Sequence, residues 1–345
     1  MFGLKMKIGN KKISLKSKPL LIAEVGINHN GDLELAKKMT NSAIDNGADI
    51  VKFQTHLVDE EMLNLEEKKK ASHVKGSLYE ILKKCSLSLK SHIELKKLCE
   101  KRKKIFLSTP FSIKAVDLLD KIGVEAFKIG SGETNNHHFV EYILKKNKPT
   151  LISTGTSTWR DLEKISSNFF NFKKNILLMH CISNYPTSLK NANVGVIQKI
   201  KDKLNLIPGF SDHSIDNFSS TAAVVCGAKV IERHYTISRS LPGIDQPASL
   251  EPNEFKNLRE IIDNIYLTLG DEKTVNAEAT KVIKGFSQSI VTIKNIKKGQ
   301  KLIAGKNIWY KRPGTGINCN KLFEISGKNA KKNIKKNKIL TLHDF

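Results

Sequence analysis

The sequence predicts an α/β fold: a (β/α)8 TIM barrel followed by a small, separate, β-rich domain. Three observations predict it. Eight short apolar runs, at 20–25, 49–53, 105–108, 124–129, 150–153, 176–180, 206–210 and 229–233, are each followed by a segment with helical periodicity. Eightfold strand–helix alternation over about 250 residues is the pattern of a parallel barrel. Each run also ends in a polar, charged or small residue, and strand C-terminal ends are where this fold carries its chemistry. After Gly270 the pattern changes to short β-like runs punctuated by glycine.

Taken in order, residues 1–18 are charged and lack the apolar centre of a signal peptide, so they read as a short hairpin ahead of the first barrel strand. Helical spacing follows over 33–46, where Leu33, Ala36, Met39, Ala43 and Ile44 share a face, and again over 89–103, 112–122 and 137–146. Residues 216–227 end in glycine, as a helix C-terminus should, and 253–268 open after Pro252 with Phe255, Leu258, Ile261, Ile262 and Ile265 on one face. The segment 55–80 is long for a barrel loop and is expected to cover the mouth. The domain reading is therefore a barrel over 1–270, a connector over 271–283 and a small domain over 284–345. In that last part strands are expected in 289–294, 296–303, 307–317 and 337–345.

Composition excludes several classes. A net charge of +24 invites a nucleic-acid reading, but the lysines are scattered and not interleaved with aromatics as a stacking platform requires. A solvated lysine-rich surface that attracts anions fits better. No run of eighteen apolar residues exists, so no membrane span is expected. Five cysteines without a Cys-x-x-Cys pair fit free thiols in a reducing cytoplasm.

The strand ends assemble a cationic, hydroxyl-rich pocket. His213 and His234 follow neighbouring strands seven and eight, so both imidazoles can converge on one divalent ion and leave positions open for substrate. Asp212 and Glu232 flank them. Lys52 and Lys128 leave strands two and four, with Thr109, Ser131, Ser153 and Ser211 adding hydroxyls, a set that suits phosphate or carboxylate. The competing reading pairs a lysine with a core carboxylate such as Glu24 or Glu133. The turn Gly26–Gly31 lacks dinucleotide-fingerprint spacing, and His29 within it stabilises the turn or neighbours the metal.

In order along nearly the whole chain, Ile22-Ala-Glu-Val-Gly-Ile-Asn-His-Asn-Gly31, Lys52-Phe-Gln-Thr55, Leu107-Ser-Thr-Pro-Phe111, Phe127-Lys-Ile-Gly-Ser-Gly-Glu133, Ser153-Thr-Gly155, His180-Cys181, Tyr185-Pro-Thr187, Gly209-Phe-Ser-Asp-His213, Ile231-Glu-Arg-His234 and Lys311-Arg-Pro-Gly314 resemble the bacterial sialic acid synthases, with their legionaminate and pseudaminate relatives. The last domain is similar to their antifreeze-like SAF domain. The resemblance implies a transferase that condenses phosphoenolpyruvate with an N-acetylated amino sugar, using manganese (magnesium or cobalt as alternatives), in a domain-swapped homodimer. It implies His213 and His234 as metal ligands, and Lys52, Thr109, Lys128, Ser131, Ser153 and Ser211 around phosphoenolpyruvate, with Glu24 near its reacting carbons. Gln54, Glu133, Tyr185 and Asp245 would face the sugar, and Arg312 would reach the N-acetyl group from the partner subunit.

Departures from the family pattern (Thr156, Ser183, and Gly243-Ile244-Asp245 followed by Gln246) fall on the sugar side. The stretches 56–62 and 78–85 look more like the sialic acid branch, so N-acetylneuraminate synthase is the main expectation. Legionaminate or pseudaminate synthase, with a 2,4-diacetamido-2,4,6-trideoxyhexose, is the alternative. A Schiff-base aldolase and a non-enzymatic carbohydrate-binding protein are more distant ones.

Overall fold

Period-two alternation decides which way each barrel strand faces, and it explains why one end of the barrel is apolar and the other polar. The computed structural model describes residues 4–64, 77–270, 273–274 and 277–345. The chain divides into two units, Met1–Leu269 and Gly270–Phe345.

The first unit opens with an antiparallel hairpin, β1 (Lys5–Ile8) and β2 (Lys11–Ser14), as expected. Then follow β3 (Leu20–Gly26), α1 (Leu33–Asp45), β4 (Ile50–Thr55), α2 (Val58–Glu61), α3 (Leu78–Cys85), α4 (Leu89–Lys101), β5 (Ile105–Pro110), α5 (Ile113–Lys121) and β6 (Phe127–Ile129). The chain continues through α6 (His137–Leu144), β7 (Thr150–Ser153), α7 (Trp159–Asn168), β8 (Ile176–Cys181), α8 (Gly195–Lys199), β9 (Ile207–Asp212), α9 (Phe218–Val225), β10 (Val230–His234) and α10 (Pro252–Thr268). The strands β3 to β10 form one eight-stranded parallel sheet in the order β5-β4-β3-β10-β9-β8-β7-β6, a nearly closed TIM-like barrel.

Two apolar clusters follow from the alternation. Leu20, Ile22, Ile50, Ile105, Leu107, Ala126, Leu151, Leu177, Met179, Ile207 and Val230 fill the lower interior, and Met6, Ile8 and Ile13 of the hairpin join them. Leu21, Ala23, Val25, Val51, Phe53 and Phe106 face outward and pack against the helices. Gly209 sits in the interior series because a β-carbon there would come within 2.8 Å of Leu177 Cδ2. Continuing each interior series two residues upward gives Glu24, Lys52, Thr109, Lys128, Ser153, Cys181, Ser211 and Glu232: the apolar plug becomes a polar floor.

Local signals set the helix limits. Asp32 Oδ1 accepts from the backbone N–H of Glu34 and Leu35 at the start of α1. Pro252 occupies the first turn of α10 behind a Glu251–Glu254 capping box. Gly227 ends α9 at φ +102°, a left-handed value that favours glycine.

Two expectations need correction. Within 271–283 the connector is in part a helix, α11 (Ala277–Phe286), which belongs to the second unit. In that unit only β11 (Ser289–Thr292) and β12 (Ile308–Lys311) pair as strands among the described residues. The expected strands 296–303 and 337–345 contribute single bridges instead, Ile296 to Ile334, Lys301 to Asn329 and Val291 to Ile339. Lysine and glycine interrupt the alternation of 296–303, and 337–345 turns into a 3₁₀ helix at Leu342–Asp344 just after its one bridge. A short helix, α12 (Leu322–Ile325), completes a core of Ile290, Ile296, Leu302, Ile308, Leu322, Ile325, Ile334 and Leu340. The centre of the expected cover, 65–76, including Lys68–Lys70, lies outside the described residues.

Candidate active site

The polar floor opens into a cavity of about 390 Å³ at the C-terminal end of the barrel. Its lining includes Glu24, Lys52, Gln54, Thr109, Lys128, Ser131, Glu133, Ser153, Tyr185, Ser211, His213, His234 and Asp245. Thirteen of the fourteen residues expected from the sequence therefore meet there. Arg312 lies in the second unit, where its guanidinium sits 5.3 Å from the centroid of the Phe286 ring.

Charge on the floor is arranged around one carboxylate. Glu232 Oε1 lies 3.1 Å from both Lys52 Nζ and Lys128 Nζ and accepts from Ser211 Oγ at 3.1 Å. Lys52 also pairs with Glu24 Oε2 at 3.2 Å and donates to Thr109 Oγ1 at 3.3 Å. All four charged side chains are buried, so pairing is what makes their burial tolerable. Burial lowers the Lys52 pKa, but Glu232 and Glu24 more than offset it and hold it above the ordinary lysine value. Burial holds Lys128 below that value; Glu232 opposes the shift, and nearby Lys52 adds to it. The two ammonium groups keep Glu232 well below the carboxylate range against the effect of its burial. The competing reading of the lysines is thus borne out for both: Lys52 pairs with Glu24 and Glu232, and Lys128 with Glu232. The pairs lie at the barrel mouth, inside the cavity lining.

The two histidines do converge. Their ring centroids are 5.5 Å apart, with Tyr185 stacked 4.0 Å from His213. His213 Nδ1 lies 2.8 Å from the Ile182 carbonyl oxygen. That bond makes Nδ1 the donor and leaves the lone pair on Nε2, which lies 3.5 Å from Ser211 Oγ. Burial, with His234 nearby, pushes His213 down to a pKa of about 3, so the ring is neutral. His234 Nδ1 is buried without a hydrogen-bond partner, 3.8 Å from Asp245 Oδ2. The neutral His213 ring and the orphaned nitrogen of His234 suit a divalent ion of the kind that accepts nitrogen donors. No group of three or more His, Cys, Asp or Glu residues positioned to hold a metal occurs among the described residues, so other positions on an ion here would fall to solvent or substrate.

Other strand-end residues turn elsewhere. Asp212 faces the helix layer, where its Oδ2 accepts from Arg233 at 2.8 Å and from Ser220 at 2.5 Å; it does not flank the histidines. Arg233 is fully buried and also donates to the carbonyls of Ser214 and Asp216, which ties down the turn carrying His213. His180 bonds the Ala192 carbonyl and stacks on Phe210 away from the cavity. His29 Nδ1 accepts from the Gly31 N–H, the turn-stabilising role. Ser131 Oγ accepts from the Gly155 N–H at 3.0 Å, which joins two strand ends.

Sequence reasoning undervalued Glu232 and missed His56 and an apolar wall. Glu232 was detectable: it stands two residues before His234 on one strand and so shares its face. The wall comprises Ile27, Leu78, Leu82, Phe111 and Ile244. Ile27 and Leu82 belong to a small cluster with Val58, Tyr79 and Cys85 that assembles α2, α3 and the first loop.

The model of the NeuB family matches residues 39–274. This chain belongs to the NeuB family. It is 39% identical over 332 residues to the N,N'-diacetyllegionaminic acid synthase of Campylobacter jejuni, covering 94% of this chain and 99% of that one. It is 33% identical over 345 residues to the pseudaminic acid synthase of the same species, covering 99% of this chain and all of the other. Among solved structures, the N-acetylneuraminic acid (sialic acid) synthetase of Leptospira borgpetersenii aligns with a TM-score of 0.75 and 32% identity over 81% of this chain and 95% of that one. NeuB-family synthases are enzymes that condense phosphoenolpyruvate with sugars. The relatives named for legionaminic and pseudaminic acid fit the alternative sugar reading better than the main one. Among the described residues no helix is long and apolar enough to cross a membrane.

Proposed function

We propose that this NeuB-family enzyme condenses phosphoenolpyruvate with a 2,4-diacetamido-2,4,6-trideoxyhexose to give a nine-carbon acid of the legionaminate or pseudaminate class. The single observation that carries the reaction type is the pair of buried ammonium groups on Glu232 beside two converging imidazoles. The choice of sugar rests on the 39% identity to a legionaminic acid synthase. It is supported by the apolar wall, which offers methyl and acetyl groups a surface and a primary hydroxyl no partner. N-acetylmannosamine is the second reading, favoured by the likeness to a sialic acid synthetase.

Lys52 and Lys128 would neutralise the phosphate and carboxylate of phosphoenolpyruvate, while Thr109, Ser131, Ser153 and Ser211 orient them. Glu24 holds Lys52 in place beside the reacting carbons. The enol carbon bonds to the sugar's aldehyde carbon as the C=O π bond opens to an alkoxide. Water adds to the cationic carbon left behind and gives its proton to that alkoxide; the C–O bond to phosphate then breaks, the new hydroxyl becomes the ketone, and its proton leaves with the phosphate. Tyr185, Glu133, Gln54 and Asp245 would bind the sugar. His213 and His234 would hold a divalent metal, manganese first and magnesium or cobalt next, which supplies Lewis acidity toward a carbonyl when bound. The reading takes the second unit as an SAF domain. It also takes the partner subunit's Arg312 as an N-acetyl contact in a domain-swapped homodimer, supported by the Lys311–Gly314 motif.

Purified protein should release phosphate from phosphoenolpyruvate only with sugar and Mn²⁺ present, fastest with a diacetamido-trideoxy sugar, and EDTA should stop it. Mass spectrometry should show the corresponding nine-carbon acid. Turnover that survives EDTA and is trapped by borohydride would instead support a Schiff-base aldolase.

A further inference from the structure

His56 has no part in the scheme above, yet it is buried at the rim of the cavity and bonded at both ring nitrogens. Its Nε2 lies 2.9 Å from Gln54 Oε1 and its Nδ1 lies 2.8 Å from Glu61 Oε1. The other end of the Gln54 side chain, Nε2, donates to Glu24 Oε1 at 3.1 Å. Lys52 Nζ lies 3.2 Å from Glu24 Oε2. Donor and acceptor roles then propagate along the chain. The Gln54 amide nitrogen donates to Glu24, so the amide oxygen faces His56. An amide oxygen can only accept, so His56 Nε2 carries a proton. The Glu61 carboxylate can only accept, so Nδ1 carries one too. The ring is sandwiched face to face against Phe111 at 4.4 Å, which favours a cation.

We propose that His56 is a positioning residue: an imidazolium, clamped by Glu61, that locks the Gln54 amide so that it presents its N–H₂ end, a donor and never an acceptor, to the sugar in the cavity. Glu61 lies on α2, so the charge on one short helix sets the hydrogen-bond polarity at the end of β4. The other titratable groups around His56 are Glu133 after β6 and His29 after β3; burial raises the Glu133 pKa, with nearby His56 opposing it, and burial lowers the His29 pKa, with His56 adding slightly to the shift. The sugar group facing Gln54 must therefore be an oxygen acceptor. This specificity statement rests on the function proposed above; the state of the ring does not.

Nitrogen NMR of the histidine rings in the full-length protein, without substrate, tests the ring state directly. The His56 signals, assigned by their loss in His56→Asn, should show both nitrogens protonated near neutral pH. In Glu61→Gln they should become those of a neutral ring with the proton kept on Nε2. A neutral His56 in the unaltered protein would overturn the proposal, whatever reaction the enzyme performs. With the cognate sugar, kcat/KM of the unaltered protein should fall about tenfold as pH rises and the ring loses its Nε2 proton, while the KM for phosphoenolpyruvate stays unchanged. Glu61→Gln, whose neutral ring keeps that proton, should not show this fall. The same fall in both proteins would show Glu61 to be merely structural.

Discussion

Glu232 concentrates the residue-scale logic of this site. One carboxylate oxygen receives two ammonium groups and a hydroxyl, so the cations are already held where an anionic substrate would meet them and need no reorganisation on binding. Lys128→Met removes the cation that depends on Glu232 alone, while Lys52 still neutralises that carboxylate. The variant should stay folded and lose kcat/KM by about 10²–10³-fold, read from coupled phosphate release; a loss under tenfold would place the anion elsewhere. His213→Ala removes one of two imidazole donors. It should abolish the response of activity to added Mn²⁺ and weaken Mn²⁺ binding measured by calorimetry. The residue types at this scale were legible because strand-end position fixes them. The ion pairs were not, because Glu232 and Lys128 are 104 residues apart in sequence and meet only across the barrel interior.

At the scale of elements, alternate residues of one strand do opposite jobs. On β10, Glu232 and His234 face the cavity while Arg233 faces the helices and clamps the 212–216 turn through Asp212, Ser214 and Asp216. Arg233→Met leaves Asp212 buried beside the Ser220 hydroxyl without its cation, and should cost about 3–5 kcal/mol. Urea unfolding checks this, with a lower midpoint and an unchanged slope. Asp32→Ala removes the cap that starts α1 and should cost about 1 kcal/mol, a small shift in the same experiment. Barrel elements were readable because short apolar runs alternate eight times with helical segments bounded by caps and glycines. Strands in the second unit were overcounted because a few apolar residues between turn signals can form a single bridge as well as a ladder.

Over the whole molecule, the two units keep separate cores, and the second has an acid-labile lock of its own. Asp344 is fully buried; its Oδ1 accepts from Lys338 at 2.8 Å and Lys332 at 2.9 Å, and its Oδ2 from the Thr341 N–H at 2.8 Å. Burial pushes its pKa up, but the Lys338, Thr341 and Lys332 bonds outweigh that and hold it well below the carboxylate range. A depressed folded value means the stabilisation is complete above the unfolded aspartate value of about 3.9 and is lost as pH falls below it. Thermal scans of the second-unit transition should therefore show a drop in Tm beginning near that pH. Asp344→Asn should lower the neutral-pH Tm and flatten the drop; an unchanged acid limb would assign it to other carboxylates.

The sequence by itself determined the barrel and the charged and hydroxyl side chains of its polar floor, because period-two alternation and strand-end position are local properties of the chain. Tertiary structure alone decided which lysine met which carboxylate, that Asp212 and His180 turned away, and that His56 came to lie between Gln54 and Glu61. Those outcomes depend on rotamers and on partners supplied by distant strands and loops, where a choice of face or a bond across the barrel leaves no periodic mark in the sequence.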